Sequence, residues 1–138
     1  MLNRRNRERD ERAEPLSKTA VIYAREPFPG EENYYGRVPS ADEQRVLCRH
    51  EARAVGVEVV GEFTDEWFFA PEWTGLTDVA QLVKHERPLF VIVSSWDRLA
   101  GDYTRLFHLG WRLASSGTIV LDVERRGPFP WKGEKPSS

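Results

Sequence analysis

Two short clusters carry the residue types that could do chemistry. The first is Val21-Ile22-Tyr23-Ala24-Arg25, an apolar run that reads as a buried strand and delivers a guanidinium to its end. An arginine at the carboxyl end of a strand suits a clamp on an oxyanion, because open α/β sheets bind ligands beyond that edge. Glu26 and Pro27 follow it, and neither is an evident nucleophile. The second cluster, Ser94-Ser95-Trp96-Asp97-Arg98, sets two hydroxyls beside an acid and a further guanidinium. A serine nucleophile needs a base, and no histidine or lysine is placed to act as one. Ser94 and Ser95 are therefore read in two ways, as substitute nucleophiles or as caps of the turn and helix that follow. Tyr34, Tyr35 and Ser40, in or beside the loop after Arg25, are weaker candidates of the same kind. His50, His85 and His108 are scattered and Cys48 is the single cysteine, so the pattern predicts no metal site, no cofactor and no disulfide.

Elements of a particular order must position these groups. Thr19–Ala24 reads as a first strand. Ser40-Ala-Asp-Glu43 is a capping box, and the helix it opens runs to Val55, with Val46, Leu47 and Val55 on its apolar side and Gly56 as its stop. Residues 57–63 predict a second strand. The polar and aromatic stretch 64–75 then reads as a loop, followed by a short helix in which Leu76, Val79, Leu82 and Val83 keep helical spacing. Residues 88–95 are apolar enough for a central strand of a parallel sheet. Leu99, Tyr103, Leu106 and Phe107 mark another amphipathic helix, and residues 118–123 a last strand. The fold class expected is α/β: a three-layer, mostly parallel sheet of about four strands with helices on both faces.

Composition narrows the function classes. The 138 residues suffice for one core, and the formal net charge of −2 lacks the basic excess of a dedicated DNA-binding domain. Residues 1–17 read as a disordered charged arm, whose five arginines are nearly cancelled by Glu8, Asp10, Glu11 and Glu14. The competing reading is a basic arm gripping DNA. Residues 18–124 make the domain, and 125–138 a Pro- and Gly-rich irregular tail. With no secretory or membrane-spanning run in this sequence, the expected location is the cytoplasm and no membrane partner is expected. Cys48 is expected to be a half-buried structural thiol.

Four stretches taken together resemble the catalytic domain of the serine recombinases of resolvase/invertase type. They are Val21–Arg25, residues 40–66, Trp73-Thr74-Gly75-Leu76 and residues 89–102, in that order. In that family a strand ends Y-A-R-V-S, a helix opens S-L-x-x-Q, and R-P-G-L precedes a helix. A later strand leads into L-D-R-L-x-R-D. Tyr23-Ala24-Arg25, Ser40 with Gln44, Gly75-Leu76 and Asp97-Arg98-Leu99 with Asp102 keep these spacings. The resemblance implies a resolvase-like fold and a family role in site-specific DNA recombination. There a serine hydroxyl attacks a DNA phosphodiester while arginines hold the charge that gathers on the phosphoryl group.

Three departures fall on the chemistry. Pro27 stands where the family has its nucleophilic serine, Trp73 where it has the arginine of R-P-G-L, and Gly101 where it has the second arginine of the last motif. Of the core set Arg25, Asp97 and Arg98 remain, and an Arg25–Asp97 ion pair supporting the fold is expected. The tail after Glu124 is also too short and too rich in Pro and Gly for the dimerisation helix and DNA-binding domain that usually follow. The resemblance thus implies an inactive recombinase-like domain, a pseudoenzyme that binds or regulates, with another recombinase or other protein as partner. The alternatives are a phosphoryl-transfer or nuclease-type enzyme on DNA using Ser94 or Ser95, and a DNA-binding accessory. Trp67, Phe68, Phe69 and Trp73 crowd one loop and read either as an exposed interaction surface or as packing beneath it. With Trp96 and Trp111 the tryptophans are expected near the sheet's carboxyl edge, where they could line a pocket.

Overall fold

The computed structural model describes residues 18–27, 30, 38–66, 74–95, 112–113, 115–124 and 127–128. Along the chain these form β1 (Thr19–Arg25), α1 (Ala41–Val55), β2 (Glu58–Asp65), α2 (Thr74–Glu86), β3 (Phe90–Val93), β4 (Ile119–Asp122) and β5 (Gly127–Pro128). The sheet order is β2-β1-β3-β4-β5. The first four strands are parallel, and β5 closes one edge antiparallel through Leu121–Pro128 and Asp122–Gly127. Gly127–Pro128 thus adds a short strand inside the stretch read as an irregular tail. A proline is tolerated there because an edge strand has one row of backbone groups without ladder partners.

Alternation along β1 splits the core in two. Val21 and Tyr23 pack with Val91, Val93 and Val120 against Val79 and Val83 of α2, joined by Leu113. Ala20 and Ile22 pack with Ile92 and Leu121 against Cys48 and Ala52 of α1. Helices therefore cover both faces, and the three-layer α/β architecture is the one the strand–helix alternation predicts. β3, apolar on both faces, is the central strand.

Helix α1 begins and ends where the sequence places it. The Ser40 hydroxyl accepts the Glu43 amide (3.1 Å), Glu43 accepts the Ser40 amide (3.0 Å), and Gly56 stops the helix at φ 77°. Its buried stripe is a different one, however. Val46, Leu47 and Val55 are 58, 44 and 42% exposed, whereas Ala41, Gln44, Cys48 and Ala52 face the sheet. Small side chains let the helix lie close to the strands, and Gln44 is drawn inward by backbone partners described below. Cys48 is fully rather than half buried.

Strand β2 holds a feature that its alternation hides. Ala20 pairs with Val59 but Val21 pairs with Gly61, so Val60 is an extra residue in a β-bulge. Val59 packs with the α1-side core and Phe63 with the α2-side core. Residues four apart in a regular strand share a face. The inserted Val60 is what sends them to opposite layers. β2 also runs to Asp65, two residues further than expected, which takes Asp65 out of the predicted loop and into the sheet.

Candidate active site at the carboxyl edge of the sheet

The chain passes from β1 to β2 on one side and then crosses to β3 on the other. The order reverses between β1 and β3, which makes the space beyond their carboxyl ends the switch-point crevice of the sheet. Arg25 ends β1 there and Ser94 follows β3.

Arg25 is 4% exposed and held at both its backbone and its side chain. Gln44 of α1 accepts the Arg25 amide (2.9 Å) and donates to the Arg25 carbonyl (2.7 Å) and the Pro39 carbonyl (3.0 Å). A fully buried side-chain amide thereby satisfies the backbone of Arg25 and ties the helix start to the strand end. The Arg25 guanidinium carbon lies 5.9 Å from the centre of the Tyr23 ring, and its Nε donates to the Tyr23 hydroxyl at 3.4 Å. Tyr23 in turn donates to Asp65 (2.7 Å). Asp65 also accepts the amides of Gly75 (2.7 Å) and Leu76 (2.9 Å) in the first turn of α2. Its negative charge suits that helix end, where unpaired N–H groups and the macrodipole favour an anion.

This network dictates part of the retained G-L pair. A Cβ on Gly75 would lie 2.9 Å from the Thr64 carbonyl oxygen and 3.0 Å from Asp65 Oδ1, so the glycine admits the helix start onto the strand end. Burial pushes the Tyr23 phenol well above its ordinary range, against the opposing pull of the Arg25 charge. Burial likewise pushes the Cys48 thiol up from 9.0 to about 12, aided by Glu62 and Asp122. Neither is activated as a nucleophile. Asp65 already accepts three hydrogen bonds, which makes it a positioning group rather than a poised base.

Beyond Arg25 the chain leaves the strand. The Glu26 amide donates to the Asp65 carbonyl (2.9 Å), and the Glu26 carboxylate accepts the Ala41 amide (3.4 Å), placing a negative charge on the first turn of α1. Pro27 is half-buried next to it. Ser94 is buried, with an Oγ that has no hydrogen-bond partner among the described residues, while Ser95 is half-buried.

Of the predicted site residues, the structure places Arg25, Pro27, Ser94 and Ser95 at this edge. Asp97, Arg98 and Gly101 lie outside the described residues, and with them the expected Arg25–Asp97 pair. Trp67, Phe68, Phe69, Trp73, Trp96, Trp111, Tyr34 and Tyr35 do so too. Ser40 is the N-cap of α1. The sequence reading missed Asp65, whose signal was slight: one acid two residues past the expected end of a strand. It saw Tyr23 and Gln44 only as motif spacing and not as a connected set.

The arrangement matches solved structures closely in shape. The N-terminal catalytic domain of TP901-1 integrase superposes with TM-score 0.66 at 19% identity, over 83% of this chain and 85% of that one. The C-terminal catalytic domain of ISC1926 TnpA, an IS607-like serine recombinase, gives 0.60 at 23% identity over 76% and 70%. A resolvase family site-specific recombinase from Streptococcus pneumoniae gives 0.63 at 16% identity over 80% and 74%. The chain has the fold of a serine recombinase catalytic domain. No family model matches the sequence, and neither does any curated protein. In this chain Arg25 ends β1, and Gly75-Leu76 lie in the first turn of α2. The residue two positions past Arg25 is a proline.

Proposed function

We propose that this serine-recombinase-like domain serves DNA recombination as a binding or regulatory component and does not itself cut DNA. The observation that carries the reading is Pro27, two residues beyond the buried Arg25 at the switch point, where the family resemblance calls for the attacking hydroxyl. Losing a nucleophile ends a covalent mechanism, and Trp73 and Gly101 at two arginine positions remove charge stabilisation as well. What persists, the Gln44–Arg25 and Tyr23–Asp65–α2 contacts, is the part that holds the fold together. Its partner would be an active recombinase or another protein of the recombination machinery.

The test is incubation of the full chain with supercoiled plasmid, followed by denaturing electrophoresis for covalent protein–DNA adducts and nicked circles. The expected result is neither. Adducts that form with the natural sequence and vanish in Arg98→Ala would overturn the proposal. The Ser94 hydroxyl, without a partner among the described residues, favours a second reading, phosphoryl transfer with a substitute nucleophile. The same assay with Ser94→Ala separates it, since that reading requires adducts that depend on Ser94.

A further inference from the structure

The β-bulge does more than switch faces. It leaves Val60 41% exposed on the outermost strand of the sheet, beside the half-buried Phe63 and Leu82. With Asp78, Gln81, His85 and Glu86 of α2 these residues line a groove of about 460 Å³ between β2 and α2. Its floor is apolar. Among the described residues no lysine or arginine lines it, and the exposed Asp78 and Glu86 form no ion pair. An apolar floor flanked by two carboxylates, with the single imidazole of His85 beside the second, favours a cationic and apolar complement.

We propose that this groove docks a segment of a partner protein that presents one large apolar side chain between two cations. The inference rests on reading the chain as an interaction domain and names the surface and the chemistry of what it binds. Asp78 and Glu86 are eight residues apart on α2, which sets their backbones about 12 Å apart along the helix. Cations to match lie about eight residues apart on a partner helix, or about four apart on an extended segment. The partner engages through side chains and not by adding a strand, because the bulge at Val60 interrupts the regular row of backbone groups that strand addition needs. Opposite charges at the rim steer encounter and fix register, and the apolar anchor supplies the buried contact.

The test uses two fluorescein-labelled peptides with a central leucine, one helical with lysines eight residues apart and one extended with lysines four apart. Each has a Lys→Glu control and a Leu→Ser control, titrated by anisotropy with the full chain. At least one lysine–leucine peptide is expected to bind tenfold or more tightly than both of its controls. Asp78→Lys with Glu86→Lys, at exposed helix positions, is expected to reverse the charge preference with an unchanged circular dichroism spectrum. Val60→Ser is expected to weaken binding several-fold. Equal affinity for peptides and controls, no binding of either peptide, or indifference to the charge reversal would each overturn the proposal. So would self-association of the chain that Val60→Asp abolishes, which would assign the groove to a second copy. The DNA-adduct assay does not report on this groove, so either idea can fail while the other stands.

Discussion

Tyr23 and Cys48 must stay neutral in the folded protein, and this sets how it meets alkali. Both have pKa values raised by burial, Cys48 from 9.0 to about 12. A raised folded value means the unfolded chain loses its proton first. The stability these groups contribute is then full below their unfolded pKa values and falls as pH rises toward the folded ones. Stability should be steady near pH 7 to 8 and decline from about pH 9 upward, read as falling urea midpoints. At pH 8 the Cys48 thiol should resist iodoacetamide in the native state and react readily in urea; rapid native labelling would contradict the burial. The Gln44 amide makes a second residue-scale prediction. Gln44→Leu removes the partners of the Arg25 amide and carbonyl, each orphaned buried group costing roughly 1–3 kcal/mol. Chemical denaturation should show a loss of about 2–4 kcal/mol; a loss under 1 would mean water replaces the amide.

Among elements, the junction of β2 with α2 is the most tightly specified. Gly75→Ala would press a methyl onto the Thr64 carbonyl, whose backbone position β1 pairing fixes. Overpacking of this kind costs roughly 1–3 kcal/mol, and the thermal midpoint should fall accordingly. The exposed Arg49–Glu62 pair, at 2.6 and 2.7 Å, links α1 to β2 at little energetic consequence, since water and salt screen exposed pairs. The element scale also shows what was legible beforehand. Caps are local, so Ser40, Glu43 and Gly56 announced the bounds of α1. Its buried stripe was not legible, because Ala41, Gln44, Cys48 and Ala52 are less apolar than the Val46 and Leu47 they displace. What turns the helix is a hydrogen bond between Gln44 and a strand nineteen residues away, which no local pattern records. The bulge at Val60 and the three donors on Asp65 are likewise products of pairing across the chain.

At the scale of the whole molecule, two cores share one sheet and cannot fail separately. Val91 and Val93 face the α2 layer while Ile92 between them faces the α1 layer. Ile92→Ala should cost about 2–5 kcal/mol, and unfolding followed by fluorescence and by circular dichroism should stay coincident. Separate transitions would mean that the layers are independent. The serine recombinase fold is thus kept by features remote from bond cleavage: alternation in β1, the Gln44 clasp and the Gly75 approach. That is why the fold was legible from the sequence.

Val60 is slack in β2, a spare link in an otherwise taut chain. Removing it would set Gly61 directly after Val59, a regular ladder in which Glu62 and Phe63 keep the β1 partners and the faces they already have. Adding a residue between Glu62 and Phe63 has no such reserve to draw on and would turn Phe63 away from the α2-side core. Deleting Val60 is then expected to leave the thermal midpoint nearly unchanged, while the single-residue insertion lowers it sharply.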